Sequence, residues 1–225
     1  MRLSMEKGTM VEHLQELPLF PLKTVLFPGG SIPLNVFEDR YKQMINECLN
    51  KDARFGIVLI KDGPEVGGPA ITYDMGTIAT ARDIKHLPDG RILMNAFGEY
   101  RFKIIQTIQT SPFIKALVEI DSENDQENIP DSDIEKFCNA ATTHIKNLLG
   151  LKGGWVQEAV IPKNPLKLSY FLSEIADLTT LQKQDLLEQS SCHQRLVACE
   201  KAINKEHQNL VYKTKLQLLK NFSKN

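Results

Sequence analysis

Four prolines, Pro18, Pro21, Pro28 and Pro33, fall within sixteen residues near the start of this chain. Each removes a backbone donor and fixes φ near about −65°, so no helix runs through residues 17–35. Apolar residues fill the gaps: Leu17, Leu19, Phe20, Leu22, then Val25, Leu26, Phe27, then Ile32, Leu34, Val36. This pattern predicts a packed, extended strand-turn-strand whose prolines sit at strand starts, edges and bends. Pro28-Gly29-Gly30 is the turn, because glycine adopts positive φ without steric cost. After Glu38 the period changes. Tyr41, Met44, Ile45, Cys48 and Leu49 recur at helical spacing, which predicts a helix over 38–49.

The next eighty residues read as strands. Phe55-Gly56-Ile57-Val58-Leu59-Ile60 is a buried strand by its β-branched content. Residues 62–69 form a glycine- and proline-rich loop. A strand over 71–85 follows, with Gly76 as its expected bulge. Pro88-Asp89-Gly90 is read as a type I′ hairpin turn, and strands are expected over 91–97, 100–108 and 113–120. Phe37 and Phe102 are expected in the core.

Composition shifts at residues 121–128, which are acidic and polar, and the rest reads helical. Ser132 and Glu135 form an expected capping box. Asn164-Pro165 starts a second helix. A short helix spans 179–188, and Ser191 and Gln194 open a long last one. Strands first and helices after make the class α+β with two subdomains. The expected division is a flexible tail at 1–16, a β-rich subdomain at 17–121 and a helical subdomain at 131–222.

Six ordered blocks carry a resemblance to a known family. They are Leu17-Pro18-Leu19-Phe20-Pro21-Leu22 with Phe27-Pro28-Gly29; Phe37-Glu38-Asp39-Arg40-Tyr41; Phe55-Gly56 with Glu65-Val66-Gly67; Gly76-Thr77-Ile78-Ala79; Pro88-Asp89-Gly90-Arg91 with Gly98-Glu99-Tyr100-Arg101-Phe102; and Gln184-Asp185-Leu186-Leu187-Glu188 with Arg195-Leu196. The chain thereby resembles the Lon substrate-binding domain, the N-terminal domain of ATP-dependent Lon proteases. The family often has proline where this chain has Asp39. The resemblance implies a PUA-like β-barrel followed by a helical bundle, in a free-standing member that lacks the ATPase and protease domains. It implies binding of polypeptide segments or of a protein partner, without catalysis.

The residues themselves carry no catalytic set. No Gly-Lys pair occurs, so there is no Walker A loop to cradle phosphates. Lys61-Asp62-Gly63-Pro64-Glu65 is similar to the context of the Lon proteolytic serine, but glutamate stands where the hydroxyl nucleophile of a Ser-Lys dyad would be. His144 is expected on the flank of its helix. Arg40, Arg91 and Arg101 are expected to pair with carboxylates. Cys48, Cys138, Cys192 and Cys199 have no zinc spacing and are read as reduced thiols of a cytoplasmic protein. No cofactor or metal is expected.

The net charge of −1 supplies no basic field for nucleic acid or an anionic membrane. The first alternative, which the resemblance to PUA-like barrels raises and this charge argues against, is an RNA-binding module; an enzyme with an unrecognised site is the second. The longest apolar run, Ile57-Val58-Leu59-Ile60, is far short of a membrane span. Glu65, Val66 and Trp155 are the candidate contact residues for a peptide or partner. Trp155, between Gly154 and Val156, reads as either an exposed anchor or a plug over the helical core.

Overall fold

The computed structural model describes residues 14–68, 70–121, 128–151 and 160–222. Residues 1–13 of the expected tail, and Trp155, lie outside the described residues. By its internal contacts the chain divides into two units. One is Met1–Leu26 with Ser31–Ser122; the other is Phe27–Gly30 with Glu123–Asn225.

The first unit contains β1 (Leu14–Leu22), β2 (Ser31–Val36), α1 (Asp39–Leu49), β3 (Arg54–Asp62), β4 (Ile71–His86), β5 (Ile92–Gln109) and β6 (Ile114–Asp121). The strand order is β2-β5-β4-β3-β1-β6, and β5 also pairs with β6. Five strands therefore close into a ring, with β2 attached to the outer edge of β5. Among the described strands only β1 and β3 pair in parallel. β1 starts at Leu14, inside the expected tail, because Leu14, Gln15 and Glu16 pair with Glu119, Val118 and Leu117 of β6. β1 and β2 flank the Pro28-Gly29-Gly30 turn without pairing with each other.

Two apolar layers account for the strand sequences. Leu17, Leu19, Val58, Ile78, Phe102, Ala116 and Val118 cluster inside the ring. Phe20, Leu22, Phe55, Ile57, Ala79, Ala81, Ile92, Met94 and Ala96 form the second layer, with Tyr41, Met44, Ile45 and Cys48 of α1. Strands buried on both faces need no polar alternation, hence the continuous apolar run in β3. β5 serves both layers. The expectation of two strands over 91–97 and 100–108 is corrected to one continuous strand with a bulge: Gly98 opposes Ala79 and Tyr100 opposes Ile78. The extra residue, Glu99, inverts the side-chain parity. Even-numbered residues before it enter one layer, and Phe102 and Ile104 after it enter the other.

Two turn-level expectations are also corrected. Gly76 stands in register with Val58 and Phe102. The irregularity lies before it, between Thr72 and Gly76. Gly90 alone of its turn has positive φ, at 81°. Its N–H donates to the Leu87 carbonyl and the Leu87 N–H to the Arg91 carbonyl. That is a three-residue loop with a left-handed glycine, not a type I′ pair, which needs positive φ at two residues.

The helical unit contains α2 (Asp131–Leu151), α3 (Pro165–Ile175), α4 (Thr180–Glu188) and α5 (Cys192–Phe222). Asn164 caps α3 by accepting from the Lys167 N–H at 2.9 Å, and Ser191 accepts from Gln194. The expected capping box at Ser132 is displaced: Pro130 accepts from Asp133 and Ile134, so α2 starts at Asp131 and Ser132 lies in its first turn. The reciprocal box instead opens α4, between Thr179 and Gln182. Leu168, Leu172, Leu196, Cys199 and Ile203 are buried here. His144, expected on a flank, is 4% exposed. Its Nε2 lies 3.0 Å from the Ile175 carbonyl and its Nδ1 3.5 Å from Glu206. Phe27 packs within this unit, its ring 6.2 Å from that of Tyr170. The guanidinium of the fully buried Arg195 covers the same tyrosine at 4.3 Å.

Candidate polypeptide-binding surface

Glu38 precedes the first residue of α1 and has extended backbone, but its side chain caps nothing. Its Oε2 is taken elsewhere. It accepts from Arg40 Nε at 3.1 Å and from the Gly67 N–H at 3.1 Å, and Arg40 Nη2 lies 3.0 Å from it. Arg40 Nη1 in turn donates to the Gly68 carbonyl at 3.2 Å. Glu65 Oε1 accepts from the Lys23 N–H at 2.9 Å. The loop after β3 is therefore held at Glu65, Gly67 and Gly68. Gly63 and Gly67 have φ of 101° and 81°, which bends it at two points that favour glycine. Arg40 also lies 4.5 Å over the Tyr41 ring, which stacks on Phe20 at 4.3 Å. Burial pushes the Tyr41 phenol up, so the ring stays neutral and serves as packing.

The loop presents apolar surface from a fixed backbone. Val66, between two held residues, is 52% exposed. Phe37, adjacent to the holding carboxylate, is 49% exposed. This corrects the expectation of Phe37 as a core residue; Phe102 alone of the two is fully buried. The sequence signal for Phe37 was the period-two alternation of Leu34 and Val36, which places the next residue on the opposite face. Glu65, a candidate contact residue, anchors the loop through one carboxylate oxygen. Phe37 and Val66 each neighbour one end of the Glu38–Gly67 hydrogen bond in sequence.

A second exposed apolar region lies where β4 and β5 part. Their ladder ends at Met75 and Lys103, so Ile71–Asp74 and Ile104–Gln109 lack each other as neighbours. Ile71, Ile105 and Ile108 are 62%, 49% and 44% exposed. Ile105 and Ile108 both occupy bulges against β6, which turns them out of the alternation that packs the partly buried Ile104 against the inner layer.

Two arginines of the β-rich unit pair with carboxylates. Arg101, 2% exposed, pairs with Asp121 at 2.6 Å and ties β5 to β6. Arg91 pairs with Asp89 at 2.7 Å. Among the described residues no group of three or more His, Cys, Asp or Glu has metal-holding geometry. A cleft of about 240 Å³ between α2 and α5 is lined by His144, Asn147 and His207. There Asn147 bonds His207 at 2.9 Å and Lys136 bonds Glu200 at 3.0 Å. Cys48 and Cys199 are buried thiols pushed up to about 11 by that burial, so neither is a ready nucleophile. No helix among the described residues is long and apolar enough to cross a membrane.

The family model for the ATP-dependent protease La (LON) substrate-binding domain matches residues 16–205. The Lon protease of Flavobacterium johnsoniae is 27% identical over 208 residues, which cover 89% of this chain and 25% of that protein. The Lon protease of Dictyoglomus thermophilum is 24% identical over 206 residues, 89% of this chain and 26% of that protein. The chain thus spans about a quarter of these relatives' length. A Lon N-terminal domain protein from Xanthomonas campestris superposes with a TM-score of 0.62 at 26% identity, over 82% of this chain and 96% of that one. The N-terminal domain of a Mycobacterium avium complex Lon protease gives 0.58 at 18% identity, over 84% and 98%; it shows the shared fold. With a family match that runs from β1 into α5, the chain belongs to the Lon substrate-binding domain family.

Proposed function

We propose that this protein binds extended, apolar-rich segments of polypeptide and does no chemistry on them. The observation that carries this reading is the pair Phe37 and Val66, two half-exposed apolar side chains on backbone held through Glu38. Ordered apolar anchors lose little freedom on binding, which is how a small surface gains affinity. Membership of a substrate-binding family and the net charge of −1 support the same reading. Glu65 and the open strand edges extend the surface; an edge accepts a guest strand through main-chain hydrogen bonds. A single short segment gripped in this way reaches about micromolar affinity, about −8 kcal/mol. The reduced thiols and modest charge fit a cytoplasmic setting.

The test is a titration of casein and of single-stranded RNA, each at low and moderate salt. Casein binding that barely responds to salt is expected. Phe37→Ser and Val66→Ser are each expected to weaken it about tenfold, on the scale of losing one partly buried apolar side chain. Steeply salt-dependent RNA binding without casein binding would replace this reading by the nucleic-acid one, since phosphate contacts release counterions. Turnover of ATP or casein above background would refute the absence of chemistry.

A further inference from the structure

β1 changes partner half way along its length. Its residues from Leu14 to Leu19 pair with β6, and those from Leu19 to Leu22 pair with β3. The β3 ladder begins at Leu19 and Gly56, so among the described residues no strand pairs with residues 14–18 on that side. Main-chain groups of a strand point alternately to its two edges. Half of those in this stretch are therefore directed away from β6. The space beside them is a cleft of about 310 Å³, lined by Gln15, Glu16, Leu17 and Pro18 of β1, by Lys51 after α1 and by Arg54 at the start of β3.

Two further observations define what fits there. Gln15 lines the cleft, and its side-chain Nε2 is buried without a hydrogen-bond partner. Buried donors are almost always paired, so an acceptor is missing at this point. The charges of the lining balance: Glu16, Glu47 and Asp52 against Lys51, Arg54 and Lys115. Several are already compensated, Lys115 by Glu47 at 3.3 Å and Arg54 by Glu99 at 3.2 Å. A balanced lining attracts neither a phosphate nor a cation. It suits a neutral ligand with donors and acceptors at strand spacing, which is a peptide main chain. The volume lies at the lower end of the roughly 300–1,000 Å³ usual for ligand sites, enough for a few extended residues. Pro18 offers no N–H, which keeps the receptive edge short.

We propose that this cleft takes an extended polypeptide segment as a strand added to β1, with Gln15 Nε2 donating to a main-chain carbonyl of the guest. The proposal rests on the polypeptide-binding reading above and gives it a second contact. Phe37 and Val66 meet guest side chains; the β1 edge meets the guest backbone whatever its sequence.

The probe is a capped, fluorescent heptapeptide of alternating valine and threonine, with two derivatives N-methylated at every odd or every even amide. Anisotropy titrations use the full chain, Lys51→Trp at the exposed rim, and Gln15→Leu. One N-methylated series is expected to bind about tenfold more weakly and the other nearly as the parent does, because only one set of amides meets β1. Lys51→Trp is expected to lose about tenfold at unchanged Tm, and Gln15→Leu about threefold. The proposal is overturned, with polypeptide binding left standing, if casein binds but the heptapeptide does not. Equal binding of both N-methylated peptides, or undiminished binding by Lys51→Trp, overturns it likewise. If wild type binds neither casein nor heptapeptide, both readings fall.

Discussion

Phe102 Cζ lies 2.7 Å from the point where a Cβ on Gly56 would stand, and 2.8 Å from the equivalent point on Gly76. The phenylalanine ring fills the ring of strands only because two facing positions have no side chain. The two glycines differ in what else crowds them. A Cβ on Gly56 meets side chains alone, Leu19 and Leu17 besides Phe102, whereas one on Gly76 also meets the Ile57 carbonyl oxygen at 2.5 Å. Side chains yield more readily than backbone. Gly56→Ala is expected to cost about 1–3 kcal/mol and Gly76→Ala the upper end or beyond. Phe102→Ala is expected to cost about 3–5 kcal/mol. Phe102→Leu combined with Gly56→Ala should cost less than the sum of the two, since the shorter side chain vacates the contested space. Denaturant titrations of these variants, with Phe102→Leu alone included, measure this; strict additivity would show that the two sites do not share that space.

Phe27 lies in the proline-punctuated block at the start of the chain but packs with the helices, against Tyr170. It is fully buried, so Phe27→Ala is expected to cost about 3–5 kcal/mol. The loss should fall on the helical unit. The thiols of the protein report this directly. Cys199 is buried in α5 and Cys48 in α1, and burial holds both at about 11. At pH 8 neither reacts readily while folded. In Phe27→Ala, labelling of Cys199 should accelerate before that of Cys48, as read by peptide mass spectrometry. Acceleration at Cys48 first would place the role of Phe27 in the β-rich unit.

These residues show where sequence reading works and where it stops. Prolines and glycines act on their own backbone, so the extended opening, the Gly29 turn and the Asn164 cap are legible locally. Layer membership is not. One extra residue, Glu99, exchanges the faces of β5, and nothing in a period-two pattern marks which residue is extra. Phe37 and Phe102 have the same chemistry and sit in comparable apolar contexts, yet one is half-exposed and the other encloses the core. Leu34 and Val36 of β2 point inward, so Phe37 falls on the outward side of that alternation, whereas Phe102 lies on the inward face that the Glu99 bulge selects. The assignment of Phe27 to the helices depends on Tyr170, which local pattern does not reach. The motif drew attention to Glu65 and Val66 as candidates, while the cleft beside β1 follows from a change of pairing partner that no local pattern marks.

Glu174 gives the fold a pH dependence of predictable sign. Burial raises its carboxyl above the ordinary 4.5, and its Oε2 is buried without a hydrogen-bond partner. An acid raised in the folded state holds its proton more tightly there than in the unfolded chain. Its favourable contribution is therefore present below about 4.5 and lost as pH rises through the higher folded value. Glu174→Gln, which cannot ionise, should raise Tm at pH 7, and the gain should shrink as pH falls toward 4.5. Thermal unfolding of both proteins across that range measures it. A gain that grows toward acid would reverse the sign of the argument.

Glu38 offers the sharpest separation of local order from global stability. One of its oxygens receives the Gly67 N–H and faces two nitrogens of Arg40. Hydrogen bonds to a charged group contribute about 1.5–3 kcal/mol. Glu38→Ala removes them, leaving the loop attached through Arg40 to Gly68 and through Glu65 to Lys23. Amide exchange at Gly67 should therefore accelerate about tenfold to a hundredfold, the equivalent of that energy. The cores are untouched by the change, so Tm should fall by no more than about 2–4 °C. Casein affinity should drop several-fold although neither Phe37 nor Val66 is altered, because the loop must then be ordered at the moment of binding. Hydrogen-exchange mass spectrometry over residues 62–68, run beside the casein titration, measures both effects. Faster exchange with unchanged affinity would remove the held loop from the binding surface, and unchanged exchange would show that Glu65 and Arg40 hold it without Glu38.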